Sequence, residues 1–204
     1  MPNAVIISGA VEGLVDEAVL RRLIQWAGAS PGTIYGKHGK PFLRKEIDGY
    51  NRAARISPWI VLVDLDHDTD CSPSFLRAWL PDPAQGICFR IVVREIEAWL
   101  IADAERLANF LNVPVSLIPR DPEALPDPKH TMIEIARASR RKDIREDMIP
   151  RVKSGRKVGP AYNSRLIQFV NDTKRGWRPE VAARFSDSLS RCLRRLEQLV
   201  ATKV

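Results

Sequence analysis

Seven acids fall where short apolar runs give way to polar chain. Glu12 follows AVIIS (residues 4–8), and Asp16 lies four residues further on. Asp64, Asp66 and Asp68 close the run WIVLVDLDHD (59–68), and Glu95 and Glu97 follow ICFRIVV (87–93). Carboxylates without a cluster of histidines or cysteines are hard oxygen ligands, suited to Mg²⁺ or Mn²⁺ rather than zinc. Several of them at one edge repel each other unless a cation joins them. Asp64 and Asp66, two apart on a strand, would point to one side. Glu12 and Asp16 would share a face if a helix had begun by then. Of the last pair, Glu97 is the expected ligand, with Glu95 paired to Arg94 or a lysine. The competing structural reading is helix capping and turn formation, which also fits His67 and Asp103.

These acids need a scaffold that brings strand ends together. AVIIS, closed by Gly9, reads as a buried strand, TIYG (33–36) as a short one, and 59–68 and 87–93 as two more. Helical spacing covers Leu14–Trp26, ending near Gly28, and then Lys40–Ala54 with Pro41 in its first turn. Pro73 opens a helix carrying Phe75, Leu76 and Trp79, and REIEAWLIAD enters another. Continuous apolar strands separated by helices predict a mostly parallel sheet covered on both faces, an α/β fold. In such a sheet ligands bind beyond the carboxyl ends of the strands, so Glu12 and the Asp64/Asp66 pair have reason to meet. The tract 113–130 is proline-rich and reads as a connection. Helices are expected at 131–148, 160–171 and 179–200. The last carries Val181, Phe185, Leu189, Cys192, Leu193, Leu196 and Val200 as a stripe for the sheet or a partner subunit. The expected organisation is a core over 1–112, the connection 113–130, and a basic helical extension over 131–204.

Charge divides the chain in the same direction. Residues 1–119 hold 12 Lys/Arg against 14 Asp/Glu, and residues 120–204 hold 20 against 11. The densest basic stretch runs from Arg137 to Lys157 and could face a polyanion. With 204 residues, 45% hydrophobic and 28% charged, the composition excludes a disordered chain or a small stapled scaffold. Three widely spaced cysteines fit a reducing compartment. With no signal-peptide pattern and no long apolar run, a cytoplasmic protein without a membrane partner is expected. There is no GxxxxGK[ST] loop, so any ATPase partner would be a separate chain.

With VEGLVDE, VLVDLDHD and REIEAWLIAD in view, the chain resembles the Toprim-like proteins, specifically the DUF4276 family, which is related to the OLD-family nucleases. The resemblance to Toprim covers roughly residues 3–110. It implies a Toprim-like sheet in which Glu12 takes the glutamate position after the first strand and Asp64 and Asp66 form the DxD pair, extended by Asp68. By the same resemblance, Asp16 and Glu97 are the further acids of the OLD-type site. Glu95 replaces the serine usual two residues before that last acid. A downstream catalytic lysine is implied, with Lys153 and Lys157 both candidates. The expected activity is metal-dependent phosphodiester hydrolysis on DNA or RNA, in a defence or mobile-element setting. Two divalent ions about 4 Å apart would activate water and neutralise phosphate charge. Arg151, Lys153, Arg156 and Lys157 would hold the nucleic-acid backbone without reading bases. The alternatives are a nucleic-acid-binding or adaptor subunit of a partner ATPase, or a small-nucleotide phosphohydrolase. A homodimer is compatible with the C-terminal stripe.

Overall fold

The computed structural model describes residues 4–65 and 72–202. In chain order the elements are β1 (Ile6–Val11), α1 (Leu14–Trp26), β2 (Ser30–Gly36), α2 (Lys40–Ala53), β3 (Trp59–Asp64), α3 (Ser72–Trp79) and β4 (Ile87–Val92). There follow α4 (Ile96–Ile101), α5 (Ala104–Leu111), α6 (Pro128–Arg137), α7 (Lys142–Met148), α8 (Tyr162–Asn171), α9 (Pro179–Ala182) and α10 (Asp187–Ala201). They form two compact units, Met1–Val93 with Asp187–Val204, and Arg94–Ser186.

The first unit is an α/β layer structure. Its four strands are parallel, in the order β2-β1-β3-β4. The chain leaves β1 for β2 on one side, then returns past β1 to β3 on the other. The gap between β1 and β3 is therefore the switch point at which such sheets open a crevice at their carboxyl edge. One face is built from alternate residues of the strands, Val61 and Val63 on β3 with Phe89 and Ile91 on β4. It packs against Leu43, Ile47 and Tyr50 of α2 and Trp79 of α3. On the other face, alternation turns Gly9 and Cys88 toward α1 and α10. Cys88 and Cys192 share a hydrogen bond between buried thiols there.

Several boundaries move for physical reasons. Gly9 does not close the first strand; it lies inside β1, where a Cβ would stand 2.6 Å from Leu20 Cδ2 and 2.8 Å from the Ile60 carbonyl oxygen. The glycine is there for close approach between layers. β2 starts at Ser30 and tolerates Pro31 because it is an edge strand. β3 stops at Asp64, and Asp66, His67 and Asp68 lie outside the described residues. The expected helix 179–200 is two helices, and Phe185, assigned to its apolar stripe, is exposed between them. The remaining stripe of α10, Leu189, Cys192, Leu193 and Leu196, is buried, and Arg195 Nη2 donates to the Gln85 carbonyl at 2.6 Å. That stripe is covered within the chain.

The second unit is helical. The expected helix 131–148 breaks between α6 and α7, where the Ser139 hydroxyl donates to the Leu111 carbonyl and accepts from the Arg141 N–H at 3.1 Å. A serine bonding to backbone in this way competes with the helical ladder. The proline-rich tract contains two short 3₁₀ turns, Val115–Leu117 and Pro122–Ala124, and Pro128 opens α6 behind the Asp127 cap. Trp99 and Trp177 are fully buried, and the Trp177 indole N–H donates to the Trp99 carbonyl at 2.9 Å. Asp103 caps α5, accepting from the Arg106 N–H at 3.4 Å. It is 0% exposed and also takes three hydrogen bonds from Arg178, through N, Nε and Nη2, at 2.9, 3.0 and 2.7 Å. A buried charge is tolerated when paired this completely.

Candidate functional site

At the carboxyl edge of the sheet, Glu12 Oε1 accepts a hydrogen bond from the Asp64 backbone N–H at 2.9 Å. This bond joins the turn after β1 to the last residue of β3, across 52 positions of sequence and over the switch point. Glu12 precedes α1, so the shared helix face expected for Glu12 and Asp16 is not what positions them. The main chain of Glu12 is held from the other side, its carbonyl accepting from the Gly39 N–H at 3.1 Å. Asp64 is itself fixed by register, lying opposite Val92, with the next residue, Leu65, bonded to the Val92 carbonyl at 2.8 Å.

Asp16 sits in the first turn of α1 and is 8% exposed. Its Oδ2 lies 3.0 Å from the point where a Cβ on residue 13 would stand, so Gly13 gives the carboxylate room to fold back over the turn that carries Glu12. Asp16 and Glu17 also suit the positive end of the helix. Glu17 has its own cations: Arg21 Nη2 at 2.8 Å and Lys37 Nζ at 3.0 Å. Burial raises its carboxyl, but hydrogen bonds and charge from Arg21 and Lys37 outweigh that and hold it below its ordinary value.

Glu95 and Glu97 belong to the helical unit and are answered differently. Glu95 is the extended residue before α4, and its two oxygens accept from the Lys129 N–H at 3.0 Å and the Lys129 ammonium at 2.8 Å. Glu97 lies in the first turn of α4 and is 2% exposed, with Lys129 Nζ at 3.7 Å. Because the helix starts between them, both carboxylates reach one lysine, although residues two apart within a helix would diverge. Tyr162 Oη donates to Glu97 Oε1 at 3.1 Å. Tyr162 is 1% exposed, so this hydrogen bond lies in the interior of the helical unit. Burial, and then the Glu97 charge, push its hydroxyl well above the ordinary value.

Lys129 and Tyr162 had readable signals. Asp127-Pro128 is a cap followed by a proline at the first helical position, which marks a helix start inside the tract read as loop. Tyr162, Leu166, Phe169 and Val170 have the spacing of one buried helix face, and all four are buried.

Arg151, Lys153, Arg156 and Lys157 are exposed on the loop between α7 and α8. The loop is pinned at its base by the Gly159 and Ala161 N–H groups, which donate to Met148 and Asp147 carbonyls at 3.0 Å each. Lys153 is in the left-handed region at φ 64°, followed by Gly155 at 67°, and the turn directs a run of cations into solvent.

Carboxylate oxygens at the Glu12–Asp64 edge are the right donor type for a hard divalent ion. Among the described residues, no group of three or more His, Cys, Asp or Glu could hold a metal ion. Glu12, Asp16 and Asp64 therefore do not by themselves complete a ligand set, and Asp66 and Asp68 lie outside the described residues. No helix among the described residues is long and apolar enough to cross a membrane. Compared with family profiles, curated proteins and solved structures, the chain matches none.

Proposed function

We infer that the chain is a divalent-metal-dependent nuclease of Toprim type, related to the OLD-family enzymes. The observation that carries this reading is the hydrogen bond from the Asp64 N–H to Glu12 Oε1. It gathers two acids from distant sequence at the switch point of a parallel sheet, where this architecture places ligands. Helix capping accounts for Asp103 and Asp127, each of which accepts from a backbone N–H three residues on. It does not account for a glutamate reaching from one strand end to another.

In this reading Glu12 and Asp64 hold Mg²⁺ or Mn²⁺, joined by Asp16 and by Asp66 and Asp68, which follow β3 in the chain. Glu97 as a ligand is carried by the resemblance alone. The bound ions would supply Lewis-acid stabilisation of phosphate charge and a more acidic water. The chain's own part is to fix the donors. The Asp64 backbone orients the Glu12 carboxylate, and Gly13 lets Asp16 fold toward the same turn. That Lys153 or Lys157 would offset charge developing on the phosphate oxygens is, like the Glu97 role, carried by the resemblance alone. Arg151 and Arg156, exposed on the loop between α7 and α8, suit contact with a sugar-phosphate backbone of any sequence.

The test is cleavage of labelled single- and double-stranded DNA and RNA with Mg²⁺, Mn²⁺ or EDTA, comparing the wild type with Asp64→Ala. Metal-dependent cleavage by the wild type that disappears in the folded variant supports the reading. Equal silence or equal activity removes intrinsic nuclease activity on these substrates and moves the partner-dependent adaptor ahead.

A further inference from the structure

A cleft of about 540 Å³ lies in the helical unit, formed by α5, the start of α7 and the end of α8. The nuclease reading makes no use of it. Three guanidinium side chains line it: Arg106 on α5, Arg141 just before α7, and Arg175 after α8. Arg106 Nε is buried without a hydrogen-bond partner among the described residues. Arg141 spends Nε and Nη2 on Asp143, and a guanidinium has five N–H donors in all. Arg175 is exposed at the rim.

Asp172 is the one carboxylate in the lining, and its Oδ1 already accepts from the Arg175 and Lys174 backbone N–H groups at 2.8 and 2.9 Å. Those hydrogen bonds hold its carboxyl below the ordinary value. With Arg141 paired to Asp143, Arg106 and Arg175 against Asp172 still leave an excess of one positive charge in the lining.

The rest of the lining is also informative. Phe110 is half-buried, and its ring is backed by the fully buried Phe169, with centroids 5.1 Å apart. Asn109 and Gln168 bring amide donors and acceptors to the same cleft. Guanidinium groups match phosphate geometry, and an aromatic ring stacks on a base of any identity. The volume is that of a small-molecule site, which runs from roughly 300 to 1,000 Å³.

We propose that this cleft binds a phosphate-bearing nucleotide, its phosphate on Arg106 and Arg175 and its base against Phe110. The source of that chemistry is either a free mononucleotide or one nucleotide of a single strand. The proposal needs no metal and does not rest on the nuclease reading.

Calorimetry in EDTA tests it, with three probes: AMP, a five-residue oligo(dA) and inorganic phosphate. Wild type is compared with Arg175→Gln, Arg106→Gln and Phe110→Leu, each checked for an unchanged melting temperature. The exposed position of Arg175 makes Arg175→Gln the variant that keeps its fold. Binding of AMP should weaken at least tenfold in Arg175→Gln and in Phe110→Leu, which would identify a free-nucleotide site. Binding of the oligonucleotide alone, weakened in the same way, would identify the strand as the source. The proposal is overturned if neither nucleotide probe binds, if Arg175→Gln binds like wild type, or if inorganic phosphate binds as tightly as both.

Discussion

The two sets of acids near the ends of β1, β3 and β4 belong to different units and are held by different contacts. In the helical unit, Glu95 and Glu97 are met by the chain's own chemistry: the Lys129 ammonium lies 2.8 and 3.7 Å away, and the Tyr162 hydroxyl donates to Glu97. Asp103 is met more completely still, by Arg178. At the sheet edge, Glu12 is oriented by the Asp64 backbone N–H, a bond that ties two strand ends together. Glu95 and Asp103, paired with neighbouring cations, serve the framework of the helical unit, and Glu12 and Asp64 stand at the carboxyl edge where parallel sheets bind ligands. On this comparison, removing acids of the first kind should cost stability, and removing those of the second kind should cost activity.

The largest effect should fall on the framework. Arg178→Ala leaves the fully buried Asp103 without its cation and should destabilise the protein by about 3–5 kcal/mol, read by urea unfolding. A loss below 1 kcal/mol would break the comparison at its strongest point. Next comes Asp64→Asn, which should lower metal-dependent cleavage by at least about 100-fold while leaving the melting temperature within a few degrees of wild type. A variant that instead fails to fold would show Asp64 to be framework as well.

Tyr162→Phe removes the hydroxyl that donates to buried Glu97 and should cost about 1–3 kcal/mol with little change in cleavage per folded molecule. If cleavage collapses while stability holds, Glu97 belongs with the functional acids. The smallest effect is at Glu17. Its folded-state carboxyl lies below the ordinary value, so its contribution is present above the unfolded pKa of about 4.3 and disappears as pH falls through the lower folded value. Glu17→Gln should therefore lower stability by about 0.2–1 kcal/mol at pH 7. Thermal melts of wild type and variant should converge in strong acid.

The sheet was legible because buried parallel strands leave continuous apolar runs, and WIVLV carried the clearest of them. What the runs could not convey was contact between layers. Gly9 looks like a strand terminator in sequence, and only the proximity of Leu20 and Ile60 explains why the strand continues through it. The same holds at the site. Acids at strand ends were visible, and the pairing of Glu12 with Asp64 follows from topology. The Lys129–Glu97–Tyr162 group was not visible, because it joins residues 32 to 65 positions apart whose local patterns carry no sign of each other. Phe185 shows the converse: it fits a helical stripe by spacing, yet a break before α10 leaves it exposed.

The most direct test of the central claim is Mn²⁺ binding, followed by electron paramagnetic resonance, to wild type, Asp64→Asn and Tyr162→Phe. The account predicts that wild type and Tyr162→Phe bind the ion alike and that folded Asp64→Asn binds at least tenfold more weakly. Wild-type affinity in folded Asp64→Asn would contradict it.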